Sequence, residues 1–367
     1  MVRGKTPLTV YASSARFSSS MAPCGLGAGQ RLRSRSAGVY IRYDFETPAR
    51  GTALVNRNMG RAALILMLFV LAAYQRLEAQ VSRSQGAPKT YVDMTRAELA
   101  RQVPELKHLE PASSQDELPT ILSRVGATVA DFFANFSNTT CNESVDSTVD
   151  ASLETLPFDI DTQYSFDNSR SRTYSSKFNY LALIQPGADR TRLRELRTNS
   201  KGETPPLRPQ DAFVSLGFVS MTAHFHPDFQ SDSRFRYLGR AALAGQSAYV
   251  VSFAQRPEAA RHTSLVVFAN KTAAIFVQGV AWVDPVSFNI LRLRTDLQHP
   301  EANIGLLKET TEVEYSEVTF PQAGKRLWLP RQVSVSGQLG RYAFHNKHHY
   351  ADYRLFNVQS RILPQMR

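Results

Sequence analysis

The chain has 367 residues, of which 43% are hydrophobic and 10% aromatic, a composition that excludes a disordered protein and can supply a sizeable core. Its net charge of +11 at pH 7 would suit a nucleic-acid-binding protein. However, residues 1–79 hold 11 Lys and Arg against 3 Asp and Glu, and the rest of the chain holds 32 against 29. The body is therefore almost neutral, which argues against nucleic acid as a partner.

A secretory signal peptide is predicted at residues 59–79. Arg61 precedes the apolar run Ala62–Tyr74, which is followed by the small-residue cleavage pattern that ends at Ala79. The run has 13 residues, fewer than the roughly 20 that a helix needs to cross a bilayer. We therefore expect cleavage near Ala79 and a periplasmic or extracellular product.

The segment in front of this leader, residues 1–58, is rich in Arg, Ser and Gly. The simplest interpretation is that translation starts at Met59 rather than Met1 and that residues 1–58 are a non-native or disordered extension. An organellar transit segment would share this composition and is the alternative. Beyond the leader the chain keeps one cysteine, Cys141, so no internal disulfide is expected.

Residues 92–136 are predicted to form a helical lid. Thr95 and Glu98 have the spacing of a capping box, and Pro104 ends the short helix that it opens. Pro119 fits only in the first turn of a second helix, which places the N-cap near Asp116. Apolar residues recur along that helix at intervals of three and four: Leu118, Ile121, Leu122, Val125, Val129, Phe132, Phe133 and Phe136.

Residues 137–176 are acidic and rich in Ser and Thr, and they contain no Lys or Arg before Arg170. This composition predicts a loop. The Asp residues lack the spacing of a calcium-binding loop, so no metal site is predicted there.

From residue 177 to 358 the pattern is that of an antiparallel sheet. Short strands are separated by short turns, with Gly245 and the Asp284–Pro285 pair at two of the connections. The candidate strands are 178–184, 235–242, 248–254, 274–284, 288–295, 311–320, 331–336 and 342–350.

The period of two assigns faces to two of these strands. The apolar face would carry Leu291, Leu293, Val313 and Tyr315. The other face would carry Arg292, Arg294, Glu312 and Glu314, whose attraction favours pairing of the two strands. One apolar face and two N-terminal helices predict an α+β fold: a strongly curved antiparallel sheet, or half-barrel meander, covered by helices.

The stretches "GQSAYVVSF" (245–253), "VQGVAWVDPVSFNILRLRTDL" (277–297), "TTEVEYSEVTF" (310–320), "LWLPRQVSV" (327–335) and "HHYADYRLFNV" (348–358) resemble exported bacterial proteins. Through them the chain is similar to the outer-membrane lipoprotein-carrier, or LolA-like, superfamily over roughly residues 92–358. That resemblance implies a half-barrel with a helical lid and a concave apolar face that takes up acyl chains or lipidated peptides. It transfers no ligand-binding residue position by position.

The leading hypothesis is a non-catalytic periplasmic binding protein that holds an apolar or lipidated ligand between sheet and helix, without a cofactor. Its cavity would be lined by Leu122, Val125, Val129, Phe132, Phe133, Trp282, Leu291, Leu293, Val313 and Tyr315. The basic stretches 192–201 and 289–294 would suit an anionic membrane surface.

Two alternatives belong to other functional classes. The first is an envelope interaction or sensor module with a filled core. The second is a metal-dependent hydrolase, in which His224 and His226 would point the same way from a strand toward one metal. A third ligand would come from His345, His348 or His349. No Gly-x-Ser-x-Gly elbow is present, and no catalytic residue is assigned.

Overall fold

The computed structural model describes residues 8–12, 40–44, 89–151, 171–186, 191–204, 215–261, 263–268 and 271–356. The predicted signal peptide at 59–79 lies outside these ranges. Within them, none of the helices is both long and apolar enough to cross a membrane.

The helices begin where the sequence indicates. Thr95 accepts a hydrogen bond from the backbone N–H of Glu98 and donates its own N–H to the Glu98 side chain, which completes the predicted capping box. The N-cap of the second helix is Glu117, one residue after the predicted Asp116. The helices are α1 (Arg96–Gln102), 3-10 helix η1 (Pro104–His108), α2 (Leu118–Asn135), 3-10 helix η2 (Ser220–Phe225), α3 (Pro227–Gln230) and 3-10 helix η3 (Pro321–Ala323).

The strands of the described ranges form a twelve-stranded and a three-stranded sheet. They are β1 (Leu8–Ala12), β2 (Tyr40–Asp44), β3 (Glu110–Pro111), β4 (Thr139–Ala151), β5 (Arg172–Pro186), β6 (Thr191–Thr198), β7 (Ser233–Leu243), β8 (Gln246–Gln255), β9 (Thr263–Phe268), β10 (Lys271–Ile275), β11 (Val277–Val283), β12 (Ile290–Leu297), β13 (Leu306–Phe320), β14 (Lys325–Leu339) and β15 (Tyr342–Leu355).

The large sheet has the order β1-β6-β5-β4-β15-β14-β13-β12-β11-β8-β7-β3, and the small one β10-β9-β2. Neighbouring strands in the described part of the chain are antiparallel, apart from the parallel pair of β1 and β6. The sheet is curved and carries few helices, which confirms the predicted α+β fold class.

Two strands lie in the segment that was predicted to be a non-native or disordered extension. Leu8–Ala12 pairs with β6, and Tyr40–Asp44 pairs with β9. Strand pairing needs only backbone N–H and C=O groups, so the Arg- and Ser-rich composition of residues 1–58 does not prevent it. The remaining residues of this segment lie outside the described ranges, and its status as an extension stays a prediction.

The predicted acidic loop at 137–176 is wrong at both ends, because residues 139–151 and 172–176 belong to β4 and β5. Burial alternates strictly along β4, with Cys141, Val145 and Val149 pointing inward. Polar Glu143 and Ser147 point to the same side, which hides the apolar alternation in the sequence. Cys141 is therefore a buried strand residue, and burial raises the pKa of its thiol.

The helical segment 92–136 divides over the two faces of the sheet. Val250 and Val251 are neighbours on β8 and so point in opposite directions. Val251 packs in one cluster with residues of α2, whereas Val250 packs in another with residues of α1 and η1. We call the face toward α2 the inner face and the face toward α1 and η1 the outer face.

The predicted pairing of the Arg and Glu residues is confirmed, but that face is not solvated. Arg292 lies opposite Glu314, and Arg294 lies opposite Glu312. Glu105 of η1 covers this part of the outer face and accepts a bond from Arg292 at 3.1 Å. The sheet therefore has helical cover on both sides, because β8 and β11 are buried on both faces.

The turn between β11 and β12 depends on Asp284. Its Oδ1 accepts the backbone N–H groups of Val286 and Ser287, each at 2.7 Å. Its own N–H donates to Asn289 O at 2.9 Å, and Phe288 lies at φ 58°. Asp284 is thus a turn former, as predicted.

Candidate ligand-binding site

The inner face carries a row of fully buried apolar residues, one on each of four neighbouring strands. Ala281, Leu293, Val313 and Val333 lie side by side in the register of β11, β12, β13 and β14. The buried side chains of α2 belong to the same hydrophobic cluster: Ile121, Val125, Val129 and Phe133.

The structure brings together most of the residues predicted to line a cavity. Eight of the ten predicted residues belong to the inner cluster; Leu122 and Phe132 are partly buried there, and the other six are buried. The residues found in the inner cluster are Leu122, Val125, Val129, Phe132, Phe133, Leu293, Val313 and Tyr315.

Trp282 and Leu291 lie on the outer face instead, which corrects their predicted placement. Trp282 pairs with Arg292, whose guanidinium lies 5.3 Å from the indole ring centroid. The register then shifts, so that Val283 faces Ile290 and Leu291 is an extra residue in β12. This bulge turns Leu291 away from the side of Leu293, although the two are only two residues apart.

Helix α2 is held on the inner face mainly by apolar contacts. Its N-cap Glu117 makes no side-chain capping bond. Gln230 donates to Leu122 O at 2.8 Å, and the Arg124 guanidinium lies 4.0 Å from the Phe288 ring centroid. At the start of the helix, Glu117 pairs with Arg240 of β7 at 3.8 Å, and both side chains are exposed.

The cover of the outer face is attached differently. Arg294 donates to Gln102 O at 3.1 Å, and Arg292 pairs with Glu105 at 3.1 Å. Nearby, Arg234 pairs with Asp93 at 2.6 Å. The outer helices are thus tied to the sheet by charged side chains as well as by apolar contacts.

Next to the apolar row, the inner face becomes polar. The polar cluster consists of Glu143, Arg197, His348 and Tyr350, all buried. Arg197 forms two bonds to the Glu143 carboxylate, at 2.5 and 2.6 Å. Glu143 Oε1 also lies 2.8 Å from His348 Nδ1 and accepts the Tyr350 hydroxyl at 2.9 Å.

Electrostatics fix the charges of the polar cluster. Burial alone would raise the pKa of Glu143, but the Arg197 guanidinium outweighs it and lowers the pKa to about 2. Burial also lowers the pKa of His348, so its imidazole is neutral at pH 7 and donates Nδ1–H to Glu143. Its Nε2 has no partner among the described residues.

A second buried carboxylate anchors the chain that leads into η2. Glu195 accepts the backbone N–H groups of Val219 and Ser220, at 3.1 and 3.0 Å, and the hydroxyl of Tyr180. Arg197 donates to Ser215 O at 2.7 Å. These bonds fasten residues 215–220 over the inner face of β4, β5 and β6.

The predicted metal pair is not placed for a shared ion. His224 lies in η2 and His226 caps α3, so the two residues do not belong to a strand. The His224 ring packs 5.2 Å from Phe253, and His226 Nδ1 accepts the N–H of Asp228. Within the described ranges, no three His, Cys, Asp or Glu side chains cluster as a metal site.

The basic stretches suggested for a membrane surface are partly used inside the fold. Arg197 is buried against Glu143, and Arg292 and Arg294 pair with Glu312 at 2.5 and 3.0 Å. Since these guanidinium groups already have partners and little exposure, they do not form a docking surface.

Glu143, Glu195 and Arg197 are not recognisable from an alternation of apolar residues alone, because they are charged residues at inward positions of their strands. In "TRLRELRT" the inward positions of β6 are Leu193, Glu195 and Arg197. The strict spacing of two residues along the strand could have identified them, because the charged residues occupy the positions at which the apolar series would continue.

No protein-family model matches the sequence, and no curated protein matches it. Among solved structures, the chain is similar to a domain described as an outer membrane lipoprotein-sorting protein from Vibrio parahaemolyticus. The identity is 13% and the TM-score 0.29, with 65% of this chain and 93% of that one covered.

It is also similar to a DUF1329 family protein from Desulfovibrio piger, with 10% identity, TM-score 0.33, and 67% and 95% of the two chains covered. A third similar structure is a LolA superfamily protein from Nitrosomonas europaea. The identity is 10% and the TM-score 0.23, with 66% of this chain and 94% of that one covered. Two of these names, the lipoprotein-sorting protein and the LolA superfamily protein, agree with the resemblance predicted from the sequence. At such scores, ligand and activity must be inferred from the chain's own residues.

Proposed function

We propose that the protein is an exported, non-catalytic binding protein that holds an apolar or lipidated ligand between the inner face of the sheet and helix α2. Export is supported by the signal-peptide pattern at 59–79. The ligand class is supported by the apolar row and by the mode of attachment of α2.

The observation that carries this proposal is the difference between the two helical covers. Helix α2 shares a hydrophobic cluster with Leu293, and its ion pair to β7 is long and exposed, whereas α1 and η1 are tied down by Arg292 and Arg294. An acyl chain can replace apolar contacts at little cost, since apolar burial contributes about 25 cal/mol per Å² whichever surface provides it. An acyl chain cannot replace an ion pair or a hydrogen bond in this way, because it has no polar group to bind the partners that are left.

Native mass spectrometry of the protein purified from its host tests this function. We expect acyl-bearing species to co-purify and to be released by lipid extraction. A mass free of any lipid after purification would contradict the proposal. A protein partner captured without any lipid would support the interaction module.

Two variants locate the ligand. Phe132→Ala removes a partly buried ring on α2, and Leu291→Ala removes a partly buried side chain on the outer face. We expect the first to lower lipid occupancy severalfold and the second to leave it unchanged. Equal loss in both variants would contradict a site on the inner face.

A further inference from the structure

Glu309 is a buried carboxyl on the inner face of β13 that is only half satisfied. Its side chain belongs to a residue that is 5% exposed, and its Oε1 accepts the Thr311 hydroxyl at 2.9 Å. Oε2 is buried and has no hydrogen-bond partner among the described residues. A buried acceptor left in this state lowers stability, so it calls for a donor.

The other buried acids of the described residues all have strong donors. Glu143 binds the guanidinium of Arg197, Glu195 binds two backbone N–H groups, and Asp232 pairs with Arg261 at 2.8 Å. Glu309 has no described cation near it, and burial raises its pKa to about 7. This carboxyl is therefore the exception among the buried acids of the described residues.

An aromatic ring lies beside Glu309. Gly337 is its partner on β14, and Phe344 is the partner of Gly337 on β15. A Cβ atom built on Gly337 would lie 2.5 Å from Cζ of Phe344, so the ring extends across the glycine toward Glu309. A carboxyl group beside an aromatic ring forms an environment that attracts an organic cation.

The position of Glu309 suits one end of an elongated ligand. Glu309, Thr311, Val313 and Tyr315 point to the same side of β13. The rise of a strand separates Glu309 from Tyr315 by roughly 20 Å. Along β13, the inward side chains thus change from apolar at Val313 to hydroxyl and carboxyl at Thr311 and Glu309.

We propose that Glu309 and Phe344 bind the ammonium end of an amphiphile whose chain lies on the apolar part of the inner face. This inference rests on the proposed function and specifies its ligand: a long-chain amine is preferred over the matching alcohol, and a fatty-acid carboxylate is disfavoured. The ammonium would donate to the free Oε2, and its charge would hold Glu309 ionised.

Calorimetric titration with n-dodecylamine, n-dodecanol and dodecanoate tests the proposal on the full protein stripped of co-purified lipid. The wild type should bind the amine about tenfold more tightly than the alcohol, and the carboxylate most weakly. Glu309→Gln should abolish the amine preference and leave alcohol binding unchanged. Glu317→Gln, which changes an exposed carboxylate, should keep the wild-type order.

Glu309→Gln removes a buried charge and should fold. Phe344→Leu is a second, independent variant, which should reduce the amine preference severalfold while alcohol binding persists. Equal binding of amine and alcohol by the wild type, or a preference unaffected by both variants, would overturn the inference alone. If none of the three probes bound, the proposed function itself would fall.

Discussion

At the residue scale, the inner face of this sheet differs from a plain apolar core. Glu143, Glu195 and Arg197 are buried in strands that the sequence reads as polar. The charge pair of Glu143 and Arg197 was not predicted, because its members lie 54 residues apart and charged side chains interrupt the apolar series of both strands. By contrast, the Glu98 capping box involves neighbours in sequence and was predicted correctly.

Arg197→Met tests how much the fold depends on this pair. The variant leaves Glu143 buried and unpaired, so the free energy of unfolding should fall by about 3–5 kcal/mol. In the double variant Glu143→Gln with Arg197→Met no charge is left buried, so the free energy of unfolding should fall clearly less. Urea denaturation measures both. Arg331→Met, which breaks the exposed pair with Glu314, serves as control and should cost at most about 1 kcal/mol.

The same pair gives a dependence on pH. Because the folded-state pKa of Glu143 is about 2, below its ordinary 4.5, the folded protein binds fewer protons there than the unfolded chain. The stabilisation is thus complete above pH 4.5 and is lost as pH falls toward 2. If Arg197→Met lowered the free energy of unfolding no more than Arg331→Met does, the stabilising role of the Glu143–Arg197 pair would be contradicted.

At the element scale, turns, long apolar periods and the charge pairing of β12 with β13 were predictable, and the bulge between β11 and β12 was not. The apolar spacing of α2 and the turn at Asp284 follow from local chemistry. The bulge that separates Leu291 from Leu293 depends on how β11 and β12 pair, which no local pattern encodes. A one-residue insertion therefore placed Leu291 on the wrong face in the sequence-based assignment.

Asp284→Ala removes the acceptor of two backbone N–H bonds in the turn. We expect a loss of about 1–2 kcal/mol in thermal or urea unfolding, since each bond contributes roughly 0.5–1.5 kcal/mol. Asp284→Asn keeps an acceptor oxygen and should lose less. Ligand binding by the folded protein should be unchanged in both variants, because the carboxylate is outside the inner face. Weaker ligand binding by a fully folded variant would contradict this expectation.

At the scale of the whole molecule, the fold class was predictable because a long series of short strands can pair only as an antiparallel sheet. The division of the helices over two faces was not. The division depends on β8 and β11, which are apolar on both faces. The sequence-based prediction gave the sheet a single apolar face. In the proposed function, α1 and η1 stay attached to the outer face, and α2 is the helix that makes way for the ligand.

The most direct measurement is photo-crosslinking with a diazirine-bearing acyl chain, followed by peptide mapping. A ligand between the inner face and α2 should label residues 118–135 and the inner positions near Leu293 and Val313, with competition by unlabelled lipid. Peptides that contain α1, η1 or Trp282 should remain unlabelled. Labelling of the outer face, or scattered labelling that unlabelled lipid does not reduce, would contradict the proposed site.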